Sequence, residues 1–169
     1  KGLVVMSADL SPTKRLYSSN GQARLLFSEL TQSLSTRTKQ DGGALSNILE
    51  KFISIARQEA QEKGCDVSVV IFEKLKELKD YTDGYNFATA VSKYWEGYDT
   101  GNDVLKENAL KWLRGEYTSK IETMRDLSIR EYINDAAFYN SLKLYSILVR
   151  KAGYKGLLIN LDEMVNLYK

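Results

Sequence analysis

The chain has 169 residues, 24 Lys+Arg against 22 Asp+Glu and a formal net charge of +2, which gives no support to a strongly basic nucleic-acid module. With 43% hydrophobic and 27% charged residues it is composed like an ordinary globular domain, and a chain of this length buries roughly 68–70% of its unfolded surface around one core. There is no His, one Cys (Cys65) and one Pro (Pro12), which removes Ser/His/Asp and Cys/His nucleophilic couples, imidazole metal sites, internal disulfides and thiolate zinc sites.

Gly2 to Leu10 is a short β-branched apolar run ended by Ser11-Pro12, the pattern of a buried strand. Asn20 or Gly21 then opens a helix with Ala23, Leu26, Phe27, Leu30 and Leu34 on one face, at helical spacing. After the Asp41-Gly42-Gly43 break, Leu45, Ile48, Leu49, Phe52, Ala56 and Ala60 mark a longer helix, with Gly64 placed to stop it and Cys65 passive beside its end. Asp66 to Asp80 is ambiguous: Val67 to Phe72 has strand composition, whereas Val67, Ile71, Leu75 and Leu78 keep helical spacing into a charged segment, and helix is the preferred assignment.

Further helical patterns follow through Phe87, Val91, Tyr94, Trp95 and Tyr98, through Leu105, Ala109, Trp112 and Leu113, and through Ile121, Met124 and Leu127. From Asp135, a residue type suited to cap a helix, Phe138, Leu142, Tyr145, Val149 and Ala152 recur up to Gly153. Leu144 and Leu148 make this last helix apolar on more than one side, which predicts burial among several neighbours. No internal repeat or low-complexity linker divides the chain. The expected architecture is a single helix-rich α/β domain over residues 1–169: a strand in 1–10, a mainly helical segment over 11–155, and a second strand with a following helix in 156–169.

Gly156 to Leu161 followed by Asp162-Glu163 carries the chemistry. A short apolar strand ending in Asp-Glu has the form of a Walker B element, which P-loop proteins set at the end of a buried strand beside the phosphates. In that role Asp162 helps hold Mg²⁺, a hard ion that prefers oxygen ligands, and Glu163 polarises the attacking water. The same pair is also a common helix start, where carboxylates complement the positive end of the dipole. A phosphate loop would need glycines followed by Lys and Ser/Thr, and no glycine in this chain precedes a lysine.

Val4 to Pro12 with Arg15-Leu16, Gly21-Gln22-Ala23-Arg24, Ala109 to Glu116, and Ala152 to Gly156 before the Asp-Glu strand together resemble a bacterial P-loop family that includes the ATP-binding proteins of BREX phage-defence operons. The resemblance runs through essentially the whole chain. It implies a fragment of a P-loop NTPase core with two terminal parallel strands and a long helical insertion, beginning just after Walker A and running through Walker B; Lys1 and the immediate apolar run fit such a fragment. It implies Asp162 as the magnesium ligand and Glu163 as the catalytic carboxylate of an intact parent that binds and hydrolyses ATP with Mg²⁺. This piece, lacking the phosphate cradle, is expected to be inactive alone and to bind no nucleotide tightly.

Other residues carry weaker signals. Asp9 ends the first strand, where ligands of open α/β sheets gather, but it also suits a local turn. The 11 Tyr, 2 Trp and 5 Phe favour core packing or a protein interface over base stacking, because the aromatic stretch around Tyr81 to Tyr117 mixes Lys with many carboxylates. A DNA-binding groove would have to be assembled from the scattered Lys14, Arg15, Arg24, Arg37 and Lys39, whose spacing does not establish one. A protein partner or self-association through the helical segment is expected. A helical interaction module without catalysis is the alternative, separated from the ATPase reading by whether the two strands lie parallel with Asp9 and Asp162 at the same edge. The free thiol and the absence of a signal peptide or a transmembrane run of roughly 18–20 residues predict a cytoplasmic protein without membrane contact.

Overall fold

The computed structural model describes residues 2–16 and 20–163. Its elements run β1 (Leu3–Asp9), α1 (Gln22–Gln32), α2 (Leu45–Lys63), α3 (Val67–Lys79), α4 (Gly84–Thr100), α5 (Asp103–Leu113), α6 (Lys120–Leu127), a 3₁₀ turn (Asp135–Ala137), α7 (Phe138–Lys151) and β2 (Gly156–Asp162). The helix expected from Met164 lies outside the described residues.

The two strands pair in parallel from Leu3↔Gly156 to Asp9↔Asp162. Val4, Met6 and Ala8 are buried against the helices, and Leu157, Ile159 and Leu161 pack beside them. The opposite face presents Leu3, Ser7, Asp9, Leu158, Asn160 and Asp162 to solvent. The far edge of β1 is closed by Ser35, which exchanges two backbone hydrogen bonds with Val5 (2.9 and 2.8 Å), and by Ser33 Oγ, which accepts from Ser7 N at 2.7 Å. Among the described residues β2 pairs with β1 alone. Parallel strands cannot be joined by a hairpin, and here the crossover carries α1 to α7.

α2 buries every residue of its predicted face, and Gly64 ends it at φ 66°, the left-handed conformation glycine adopts without a Cβ penalty. The Val67–Phe72 run is helical because Asp66 Oδ1 accepts from Ser68 N at 2.7 Å and starts the helix. Val70, Ile71, Leu75 and Leu78 then bury one face at spacings of three and four. At the centre of the core, Phe27 lies 6.2 Å from Phe138 and 5.9 Å from Tyr145, and Phe87 lies 5.2 Å from Tyr145, ring centre to ring centre. These separations suit edge and tilted aromatic packing. Burial pushes the Tyr145 phenol well above its ordinary pKa, and its hydroxyl donates to Leu113 O at 2.6 Å. Tyr94, Trp95, Trp112 and Tyr117 are core residues too, whereas Tyr81 and Tyr85 are exposed.

Two expectations are corrected. On α6 the buried residues are Thr123 and Leu127, four apart, while Ile121 is 81% exposed and Met124 47%. The helix is only two turns long and rotates its more apolar side outward. Asp135 does not cap the last helix. Asn134 Oδ1 accepts from Ala137 N at 3.1 Å, and Asp135 reaches across the fold to the start of α1, where its two oxygens accept from Gly21 N (2.7 Å) and Arg24 N (2.8 Å). Arg24 in turn donates to Gly115 O at 3.1 Å. Gly115 sits at φ +67°, with Phe27 Cδ1 only 2.7 Å from where a Cβ would stand, so the turn after α5 is drawn tightly onto α1.

Candidate active site at the end of the parallel strands

Both strands end in an aspartate, and the register sets Asp9 directly beside Asp162. Leu10 N donates to Asp162 O at 3.1 Å, carrying the pairing one residue past β1. Asp162 Oδ1 accepts from Glu163 N at 2.8 Å, and Glu163 adopts φ 57°. The chain therefore leaves the strand through a left-handed residue that the Asp162 side chain braces. Asp9, Asp162 and Glu163 are all exposed.

The β1 side of this edge is built from α1 and the turn after the strand. Glu29 Oε1 accepts from Asp9 N at 3.4 Å, and Glu29 also pairs with Lys14. Ser11 and Lys14 exchange backbone hydrogen bonds at 3.2 and 3.1 Å. Arg15 Nε is buried with no hydrogen-bond partner among the described residues.

The residues singled out by sequence divide accordingly. Asp9, Asp162 and Glu163 come together. Arg24 does not reach them, since it anchors the α5–α6 turn. Arg37 lines a hollow with Gly2 and Leu3, at the opposite end of β1 from Asp9, and Lys14 is paired with Glu29, so the scattered cations form no single groove. Glu29 was not singled out by sequence: it looks like an ordinary surface position on α1, and only the turn back from β1 brings it to Asp9.

The whole chain, residues 1–169, matches the family model for the BREX system ATP-binding protein BrxC/D. The chain belongs to this family. Neither a curated protein nor a solved structure matches it. For a BREX ATP-binding protein the acidic edge has to be tested against magnesium and phosphate. Asp162 keeps one oxygen uncommitted, and the Glu163 carboxylate makes no hydrogen bond or ion pair among the described residues. These are the hard oxygen donors that Mg²⁺ takes. Among the described residues no three His, Cys, Asp or Glu side chains are grouped to hold a metal. The glycine-lysine pair of a phosphate-binding loop does not occur in the chain. Among the described residues no helix is long and apolar enough to cross a membrane.

Proposed function

We propose that this segment supplies the Walker B half of an ATP-hydrolysing site, with Asp162 holding magnesium and Glu163 acting on the attacking water, and that the phosphate-binding loop comes from polypeptide outside these 169 residues. The observation that carries the reading is the parallel pairing of β1 and β2 with Asp9 and Asp162 at the same edge. A purely helical interaction module would not call for that arrangement. In open α/β sheets this carboxyl end is where ligands bind.

Glu163, whose carboxylate has no partner among the described residues, lies at the exposed end of the sheet, where it can orient a water and accept its proton. Asp162 presents its uncommitted oxygen next to it, and the bond from Glu163 N fixes its rotamer. Bound magnesium would supply charge stabilisation for the transferred phosphoryl group. The helical crossover between the strands is the segment offered to a protein partner or a second copy, with exposed Val69, Phe72 and Tyr85 on α3 and α4. Within the BREX system the hydrolysis would serve phage defence.

The test is Glu163→Gln in the intact ATP-hydrolysing protein. Turnover should fall by about 10²–10⁴-fold, the usual contribution of a positioned general base, while ATP binding persists. Asp162→Asn should weaken Mg²⁺ binding, so that half-maximal turnover needs more Mg²⁺. Unchanged turnover in Glu163→Gln would remove the assignment.

A further inference from the structure

A second site lies away from the sheet edge and shares no residue with it. The start of α4, the loop before the 3₁₀ turn and the first turn of α7 enclose a cleft of about 500 Å³, within the size range of ligand pockets. At its floor is Ser141, 2% exposed, whose hydroxyl has no hydrogen-bond partner among the described residues. As both donor and acceptor, this hydroxyl can bond a group that enters the cleft. Asn86 also lines the cleft, and its amide is uncommitted.

Asp83 sets the charge. It occupies the N-cap position of α4 at φ 63°, yet its side chain makes no capping bond. It forgoes the role that aspartate fills best there and instead accepts from Asn140 Nδ2 across the cleft at 3.1 Å. That bond orients the Asn140 amide and leaves its carbonyl oxygen as a further acceptor. Among the described residues Lys120 is the one ammonium lining the cleft, it is already paired with Glu131 at 2.6 Å, and Asp83 has no cationic partner there. The start of α4 offsets only part of that charge, about half an elementary unit.

We infer that this cleft receives the guanidinium group of an arginine presented by a partner polypeptide. A planar fork of five donors can engage the Asp83 carboxylate, the Asn86 and Asn140 carbonyls and the Ser141 hydroxyl together, which a point-like ammonium cannot. Tyr132, also on the wall and half-buried, offers aromatic surface for a guanidinium to lie against. An anionic ligand would face Asp83 and Glu131.

The probe is N-acetyl-arginine methylamide, titrated calorimetrically into the intact protein, with the citrulline analogue and free arginine as comparators. The arginine probe should bind saturably and protect backbone amides of residues 82–86 and 134–141 from hydrogen exchange. The citrulline analogue should bind at least about tenfold more weakly, and free arginine, whose carboxylate meets Asp83, also more weakly. Asp83→Asn preserves the backbone, since Asn tolerates positive φ, and should lower affinity about tenfold. Asn86→Ala removes a side chain with no bond to lose in the fold and should lower it several-fold. Equal binding of the citrulline analogue, or unchanged affinity in both variants, overturns the assignment, and tighter binding of free arginine overturns the polypeptide source.

Discussion

The capping of α1 from a distance makes a quantitative prediction. α1 begins at Gly21, has no cap from its own side chains and carries no acidic residue in its first turn. Two amides at its start are held by Asp135, whose two oxygens accept from Gly21 N and Arg24 N at 2.7 and 2.8 Å. Replacing a capping side chain by alanine costs about 0.5–2 kcal/mol, and removing a negative charge from a helix N-terminus costs about 0.3–1 kcal/mol more. Asp135→Ala should therefore destabilise the fold by about 1–3 kcal/mol. For a chain of this size each kcal/mol lowers Tm by about 2–4 °C, so a loss near 2 kcal/mol lowers it by about 4–8 °C. Urea unfolding should show a lower midpoint with an unchanged slope, and hydrogen exchange should accelerate at the start of α1. Asp135→Asn, which keeps one acceptor, should fall between. A loss below about 0.5 kcal/mol, the level of an ordinary surface substitution, would refute the argument that Asp135 ties α1 to the start of α7.

Two further predictions test charge and burial. Glu59 lies 2.7 Å from Lys74 Nζ and 2.9 Å from Lys63 Nζ, and these hydrogen bonds, Lys74's first, hold its pKa down at about 2 against an ordinary 4.5. A carboxylate depressed in the folded state contributes stability that is present above pH 4.5 and is lost as pH falls toward 2; urea midpoints between pH 7 and 2.5 should show this decline, and Glu59→Gln should flatten it. An unaltered acid limb in the variant would dismiss the ion-pair account. On α6, Ile121→Ser should change stability by no more than about 0.5 kcal/mol and Leu127→Ala should cost about 2–5 kcal/mol, measured by the same unfolding; a reversed order would restore the orientation that spacing suggests.

Much of the fold is legible because long helices repeat their apolar face several times. α2 repeats it often enough that every expected position is buried, and Gly64 marks where it must stop; on α7 the expected Leu142 is only half-buried, and Ser141 and Ile147 are buried beside the expected stripe. The reading fails where an element is short or its partner is remote. α6 has only two turns, so Ile121, Met124 and Leu127 at spacings of three looked like a stripe, yet packing selects Thr123 and Leu127. Asp135 precedes an apolar periodicity and so resembles a local cap, while its oxygens are taken by amides whose proximity only the folded chain creates. The same limit hid Glu29 beside Asp9 and the cleft around Ser141, each assembled from separate elements. Asp162 and Glu163 stand out in the sequence because they close a short apolar strand.

The placement of the acidic edge follows from the burial of the sheet itself. Aligned residues of parallel strands share a face, so the register that buries Val4, Met6 and Ala8 sets Leu157, Ile159 and Leu161 beside them. It also turns Asp9 and Asp162 outward together. A slip of one residue would reverse β2: Leu158, Asn160 and Asp162 would face the helices, and Leu157, Ile159 and Leu161 would face water. That slip exchanges three apolar side chains for one apolar, one amide and one carboxylate in the core, where an unpaired charge is costly. Parallel strands are also ordinarily covered on both faces, whereas the outer face of this pair leaves Leu3 and Leu158 exposed. The hydrophobic alternation of two seven-residue strands is thus what brings Asp162 beside Asp9, and the carboxylates need no attraction of their own to meet there.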